Sequence, residues 1–174
     1  MRQSAMIRRL TVAAMFMALN IILSLSILSI PVPGGHLYLN DIIICTAALL
    51  LDPFSAFVVG GVGSFIGDML FYPAPMFVSL ATHGLQAVAI SLCSRHLFKK
   101  HPLAGAIVGV LLGAVIMVTG YTLGRAYVYA TPEYAIVKLP YEILQAALGV
   151  VAGPILCFGC DLRGKLSRIL MQEN

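Results

Sequence analysis

Asp68 and His83 pose the chemical question in this chain, because each is an ionisable side chain set in apolar sequence on either side of the Pro-braced turn Tyr72-Pro-Ala-Pro75. A carboxylate at membrane depth costs about 2.5–3.5 kcal/mol even on mild insertion scales, so such a group faces a protein interior or a wet cavity. The turn is short enough to demand a tight hairpin between two helices. With the chain running outward before the turn and inward after it, Asp68, His83 and Gln86 fall within about four helical turns of one membrane face. A carboxylate, an imidazole and an amide grouped there can hold a polar small molecule by hydrogen bonds. They do not read as a catalyst, since HExxH, GxSxG and a carboxylate-rich metal helix are all missing from the sequence.

The membrane setting follows from composition. Hydrophobic residues make up 60% of the chain, charged residues 10%, and the mean hydropathy is +0.96. A soluble domain carries about 25% charged residues. The expectation is an all-α integral membrane protein of one domain, 1–174, with six transmembrane helices over residues 10–30, 39–51, 54–71, 75–94, 103–127 and 136–158. Long apolar runs without period-two alternation exclude a β-barrel. Segments two and three are separated only by Asp52-Pro53, where Asp suits a cap and Pro the first helical turn.

Orientation follows from the basic residues. With the N-terminus inside, Arg2, Arg8, Arg9, Arg95, Lys99, Lys100, Arg163, Lys165 and Arg168 lie at cytoplasmic ends, nine of the eleven, and only Arg125 and Lys138 fall outside. Both termini are therefore expected in the cytoplasm, and the net charge of +4 needs no nucleic-acid partner. The first span lacks a small-residue cleavage site and is expected to stay in the mature protein. Cys45 and Cys93 stand alone, and Cys157-Phe-Gly-Cys160 has no second pair to complete a zinc site. GlyGlyValGlySer, beginning at Gly60, lacks the Lys-Ser or Lys-Thr of a phosphate loop, so the chain carries no nucleotide-driven motor and no cofactor motif.

The elements that must position the polar residues come next. Ala14 and Ala18 form a small-xxx-small pair in the first span, which allows another helix to approach closely, from this chain or from a partner. Asn20 lies about midway and needs a partner outside its own helix, whereas Ser24, Ser26 and Ser29 can bond their own backbone. The loop Pro31 to Asp41 is expected to form a lid: its prolines stiffen it, Gly34 and Gly35 permit unusual backbone angles, and His36 and Tyr38 can bond or stack over a ligand. Asn40 and Asp41 open the second helix, and capping accounts for one of them. Glycines at 60, 61, 63 and 67, and again at 105, 109, 113, 120 and 124, predict close helix contacts. Lys138 and Glu142 are one turn apart, with Gln145 on nearly the same face, so a Lys138–Glu142 pair within the helix competes with ligand binding by either residue.

Taken together, His36, Tyr38, Asn40, Asp41, Asp68, His83, Gln86, Tyr121, Arg125, Lys138, Glu142 and Gln145 fall in the outer halves of the spans, while the inner halves are apolar and small. A proton path or channel needs polar groups through the whole thickness. The pattern favours a dead-ended binding cavity that faces outward.

With its size, six spans, basic cytoplasmic ends, Ala14-xxx-Ala18, Tyr38-Leu-Asn-Asp-Ile-Ile-Ile, LeuLeuLeuAspPro and GlyGlyValGlySerPheIleGlyAspMet, the chain resembles the substrate-binding S components of energy-coupling factor (ECF) vitamin transporters over essentially its full length. It is most similar to the branch for hydroxymethylpyrimidine and pyridoxine-type compounds. The resemblance implies a non-enzymatic vitamin binder in a prokaryotic plasma membrane. It also implies docking, through Ala14 and Ala18, on a membrane T component driven by two cytoplasmic ATP-binding cassette subunits, with membrane lipid around it. A self-sufficient secondary transporter or channel is the alternative, and it calls for an internal repeat or broken mid-span helices.

Overall fold

The computed structural model describes the backbone of residues 2–25, 29–98 and 100–171, and side chains within 6–25, 29–98 and 100–168. Ser26 and Lys99 lie outside the described residues, as does the side chain of Arg2. The chain forms helix α1 (Arg2–Leu23), strands β1 (Ile30–Val32) and β2 (Gly35–Leu37), and helices α2 (Asn40–Leu50), α3 (Pro53–Phe71), α4 (Met76–His96), α5 (Pro102–Tyr129), α6 (Pro132–Gly159) and α7 (Leu162–Met171). Helices α3, α5 and α6 each contain a five-residue wide turn, at Val58–Val62, Arg125–Tyr129 and Ile155–Gly159. Among the described residues five helices are long and apolar enough to cross a membrane, namely Met6–Leu23 of α1 together with α3, α4, α5 and α6. The protein is an all-α membrane protein apart from one small hairpin.

The first segment differs from the hydropathy reading in its boundaries. Helix α1 runs over 2–23 instead of 10–30, because its basic start is helical despite its charge and the apolar count at its end belongs partly to β1. The second segment is a helix of 11 residues, about 16 Å long, well short of a hydrocarbon core of about 30 Å. Its last carbonyls are not left bare: Arg95 donates to Leu50 O at 3.1 Å and to Leu51 O at 3.2 Å, and Ser91 Oγ donates to Leu51 O at 2.7 Å. A cation at a helix C-terminus also complements its dipole. Asp52 then caps α3 through Ser55 N at 3.1 Å, with Pro53 in the first turn. Partial burial pushes the Asp52 pKa up, but the bonds from the Ser55 hydroxyl and amide outweigh it and hold the carboxyl below its usual range.

Glycine faces set the helix spacing. A Cβ at Gly60 would sit 2.8 Å from His83 O, and one at Gly61 would sit 2.8 Å from Leu80 O, so only glycine lets α3 lie this close to α4. The glycines of α5 face α4 in the same manner. The wide turn of α3 distorts the regular carbonyl ladder, and buried Asn20 reaches across from α1 into it, donating to Val59 O at 2.7 Å and Ser64 Oγ at 3.2 Å. Asn20 is thus a structural tie. Asn20→Leu is expected to cost about 1–3 kcal/mol of stability, the range for orphaning a buried polar group, with ligand affinity unchanged. Thermal unfolding in detergent reads the first effect, and an unshifted midpoint would count against the tie.

The apolar core of Ile44, Ile90 and Val110 lies between α2, α4 and α5. The loop expected to form a lid contains an antiparallel hairpin with Ile30 opposite Leu37, Pro31 opposite His36 and Val32 opposite Gly35. Pro33 and Gly34 make its turn. Gly34 has φ +82°, the value that the third residue of a type II turn requires and that proline before it favours.

Candidate functional site

The hairpin closes over a cavity lined by Gly35, His36, Tyr38, Asp68, Tyr72, Pro75, Tyr121, Arg125, Tyr129, Glu142 and Gln145. Every element around it has a local reason for its placement. The turn between α3 and α4 carries Tyr72 and Pro75, and the His36 ring packs edge-on against Phe71 at 5.6 Å and Tyr72 at 6.4 Å, so the hairpin rests on that turn. The wide turn at the end of α5 begins at Arg125 and ends at Tyr129, bringing both to the cavity while Tyr127 between them remains 79% exposed.

Three side chains from α5 and α6 hold the hairpin down. Arg125 Nη1 donates to Gly34 O at 2.8 Å, Lys138 Nζ donates to His36 O at 2.7 Å, and Gln145 Oε1 accepts from Tyr38 N at 3.0 Å. The last contact starts a buried polar chain. Gln145 Nε2 donates to Asp41 Oδ2 at 2.6 Å, Gln86 Nε2 donates to Asp41 Oδ1 at 2.8 Å, and His83 Nδ1 meets Gln86 Oε1 at 2.7 Å. Because the Gln86 amide nitrogen is committed to Asp41, its oxygen faces the imidazole, and Nδ1 is the protonated nitrogen of His83. The end of the hairpin, α6, α2 and α4 are therefore joined by one hydrogen-bonded line.

A second group sits beside it. Glu142 Oε1 lies 2.9 Å from Arg125 Nη2 and 3.8 Å from Lys138 Nζ. The pair expected within α6 is present, but the shorter contact is to Arg125 from another helix. Asp68 accepts from the Ser79 hydroxyl, which in turn accepts from Tyr121 OH at 2.6 Å. The Tyr121 ring stands edge-on to His83 at 5.1 Å.

The structure brings most of the sequence candidates together, in two layers. His36, Tyr38, Asp68, Tyr121, Arg125, Glu142 and Gln145 line the cavity. Asp41, His83, Gln86 and Lys138 are buried behind them: Asp41 accepts from Gln145 of the lining, Lys138 donates to His36 O of the hairpin, and Gln86 and His83 connect to the lining through Asp41. Asn40 stands apart: its Nδ2 donates to Ser24 Oγ at 3.3 Å, joining the start of α2 to α1, and neither Asn40 nor Asp41 caps α2 through its side chain. Tyr72, Pro75 and Tyr129 are lining residues beyond the candidate set. Their only sequence signal is position, in the two tight connections on the same side as the polar residues.

The cavity measures about 30 Å³, room for about two water molecules. That is smaller than the volume of a vitamin-sized molecule. Two donors on lining residues, Arg125 Nε and Tyr129 OH, are buried without a hydrogen-bond partner. Ala14 and Ala18 lie far from this cavity in sequence and element, and both are exposed on α1, whereas Ala13 and Asn20 face inward.

A family model described as ECF-type riboflavin transporter, S component, matches residues 4–160. A relative from Pyrococcus woesei, described as "uncharacterized protein in gap 3'region", is 32% identical over 143 residues, 81% of this chain and 93% of the relative.

Proposed function

Because the chain belongs to the family of ECF-type riboflavin transporter S components, we propose that it captures a compact N-heteroaromatic vitamin or precursor, of the hydroxymethylpyrimidine or pyridoxine type, for ATP-driven uptake. The observation that carries this reading is the hairpin-covered cavity whose lining is polar and aromatic together, with Arg125 Nε and Tyr129 OH unpartnered. Aromatic walls stack on a flat ring, and carboxylates accept from ring N–H and amino groups. Riboflavin itself is the second reading, favoured by the description of the matching family model. Its three-ring system needs a larger opening than a single ring.

Membership in this family implies a membrane T component and ATP-hydrolysing partners. In the finer reading, α1 to α6 make six spans, α2 being a short one, with both termini cytoplasmic and two ATPase subunits in the complex. The basic ends support that orientation in a prokaryotic plasma membrane. Ala14 and Ala18 form the docking face, supported by their exposure along α1.

The hairpin is the gate. Saturating ligand is expected to slow amide exchange in Ile30–Leu37, because a bound ring replaces water beneath the hairpin and adds to the bonds from Arg125, Lys138 and Gln145. Equal exchange with and without ligand would count against gating there. Uptake is tested in proteoliposomes holding this subunit with or without its T component and ATPases. The reading expects accumulation of a vitamin only with all subunits and ATP, whereas accumulation by this chain alone would establish a self-sufficient transporter.

A further inference from the structure

Resting on the reading of this cavity as a vitamin site, we propose that Asp68 binds the N–H or amino edge of the ligand ring, and that the pocket admits neutral or cationic vitamins and rejects their phosphate esters. The three buried carboxylates differ in what already surrounds them. Both oxygens of Asp41 accept from amides, Gln86 and Gln145, and Asp41 is 0% exposed behind the lining. Glu142 is paired with Arg125 and Lys138. Asp68 alone lines the cavity with nothing but a hydroxyl, Ser79, on it. Among the described residues no Lys, Arg or His nitrogen lies within 4.0 Å of Asp68, because the ion-pair contacts all go to Asp41 or Glu142.

The direction of the hydroxyl chain fixes the role of this carboxylate. Tyr121 OH donates to Ser79 Oγ, so the Ser79 proton points to Asp68, which accepts. Its charge is held in place with no cationic group in contact among the described residues. In a medium of low dielectric such a carboxylate attracts a donor or cation and opposes a second anion. The pocket's cations do not reverse this. Arg125 and Lys138 both lie against Glu142 and each spends an N–H on a hairpin carbonyl, and the Arg125 Nε–H, like the OH of Tyr129 in the same lining, has no partner. Such a pair of donors suits a neutral acceptor, a carbonyl, hydroxyl or ring nitrogen. The complementary ligand is a ring with donors on the edge toward Asp68 and an acceptor toward Arg125 and Tyr129.

The test is calorimetric titration of the purified full-length chain with paired probes: riboflavin and its 5'-phosphate, pyridoxal and its 5'-phosphate, and 4-amino-5-hydroxymethyl-2-methylpyrimidine and its phosphate ester. The expected result is binding of at least one unphosphorylated probe, with its ester weaker by about tenfold or more. Asp68→Asn, checked for an unchanged unfolding midpoint, is expected to weaken the unphosphorylated probe by about 10- to 100-fold and to narrow its lead over the ester. The comparison in the wild-type protein stands even where Asp68→Asn fails to fold. Equal or tighter binding of the ester, or a folded Asp68→Asn that binds like wild type, overturns this inference and leaves vitamin capture intact. Binding of none of the six probes overturns vitamin capture of these classes and the inference with it.

Discussion

Glu142→Gln is expected to lower the stability of the folded protein by about 3–5 kcal/mol, the cost of removing one partner from a buried ion pair. The size of the effect follows from what remains. Arg125 lies 2.9 Å and Lys138 3.8 Å from the same Glu142 oxygen, and Lys138 is 2% exposed, so the substitution leaves two buried cations facing each other without a counter-charge. The hairpin feels the loss as well, because those two cations hold Gly34 O and His36 O. Adding Lys138→Met removes one of the unbalanced charges and is expected to restore part of the stability, giving a coupling that the single variants cannot show. Unfolding of wild type, both single variants and the double variant in one detergent checks it. A Glu142→Gln protein of wild-type stability with lowered vitamin affinity would instead make Glu142 a direct ligand contact.

Ala14→Trp is expected to abolish assembly with the T component while leaving ligand affinity nearly intact. The face is small and uncovered: Ala14 and Ala18 are exposed, and the packing of α1 on its own chain runs through Ala13, Asn20 and Ser24. A small-xxx-small face works by letting two helix backbones approach, and an indole holds them apart. No residue of α1 lines the cavity, so the pocket is not disturbed. Co-purification of the tagged variant with its partner subunits, beside a titration of the variant alone, reads both halves. A complex of normal yield would place the docking face elsewhere.

The long helices were legible because lipid demands unbroken apolar runs, and α3 to α6 begin and end within a few residues of the hydropathy reading. The convergence of polar side chains was legible for the same reason: residues as costly to bury as Asp68, Glu142 and Lys138 are tolerated only where they meet partners. Which partner each meets was not. Arg125 and Glu142 are seventeen positions apart on different helices, and only the crossing of α5 and α6 makes them neighbours. Asn40 belongs to the α1–α2 contact rather than the cavity because Ser24 happens to face it. The wide turns leave no composition signal, yet the one at Arg125–Tyr129 decides that Tyr129 turns inward. The hairpin strands are three residues each, too short for an alternation to register.

Calorimetric titration of the purified chain, without any partner subunit, tests the central claim most directly. The account predicts saturable binding of an N-heteroaromatic vitamin or precursor at one site per chain, with Kd of about 1 µM or tighter, corresponding to about 8 kcal/mol. It also predicts that the same ligand protects the hairpin Ile30–Leu37 from amide exchange. A folded chain that binds no member of that class, or that binds one without any change in the hairpin, would contradict a capture site beneath it.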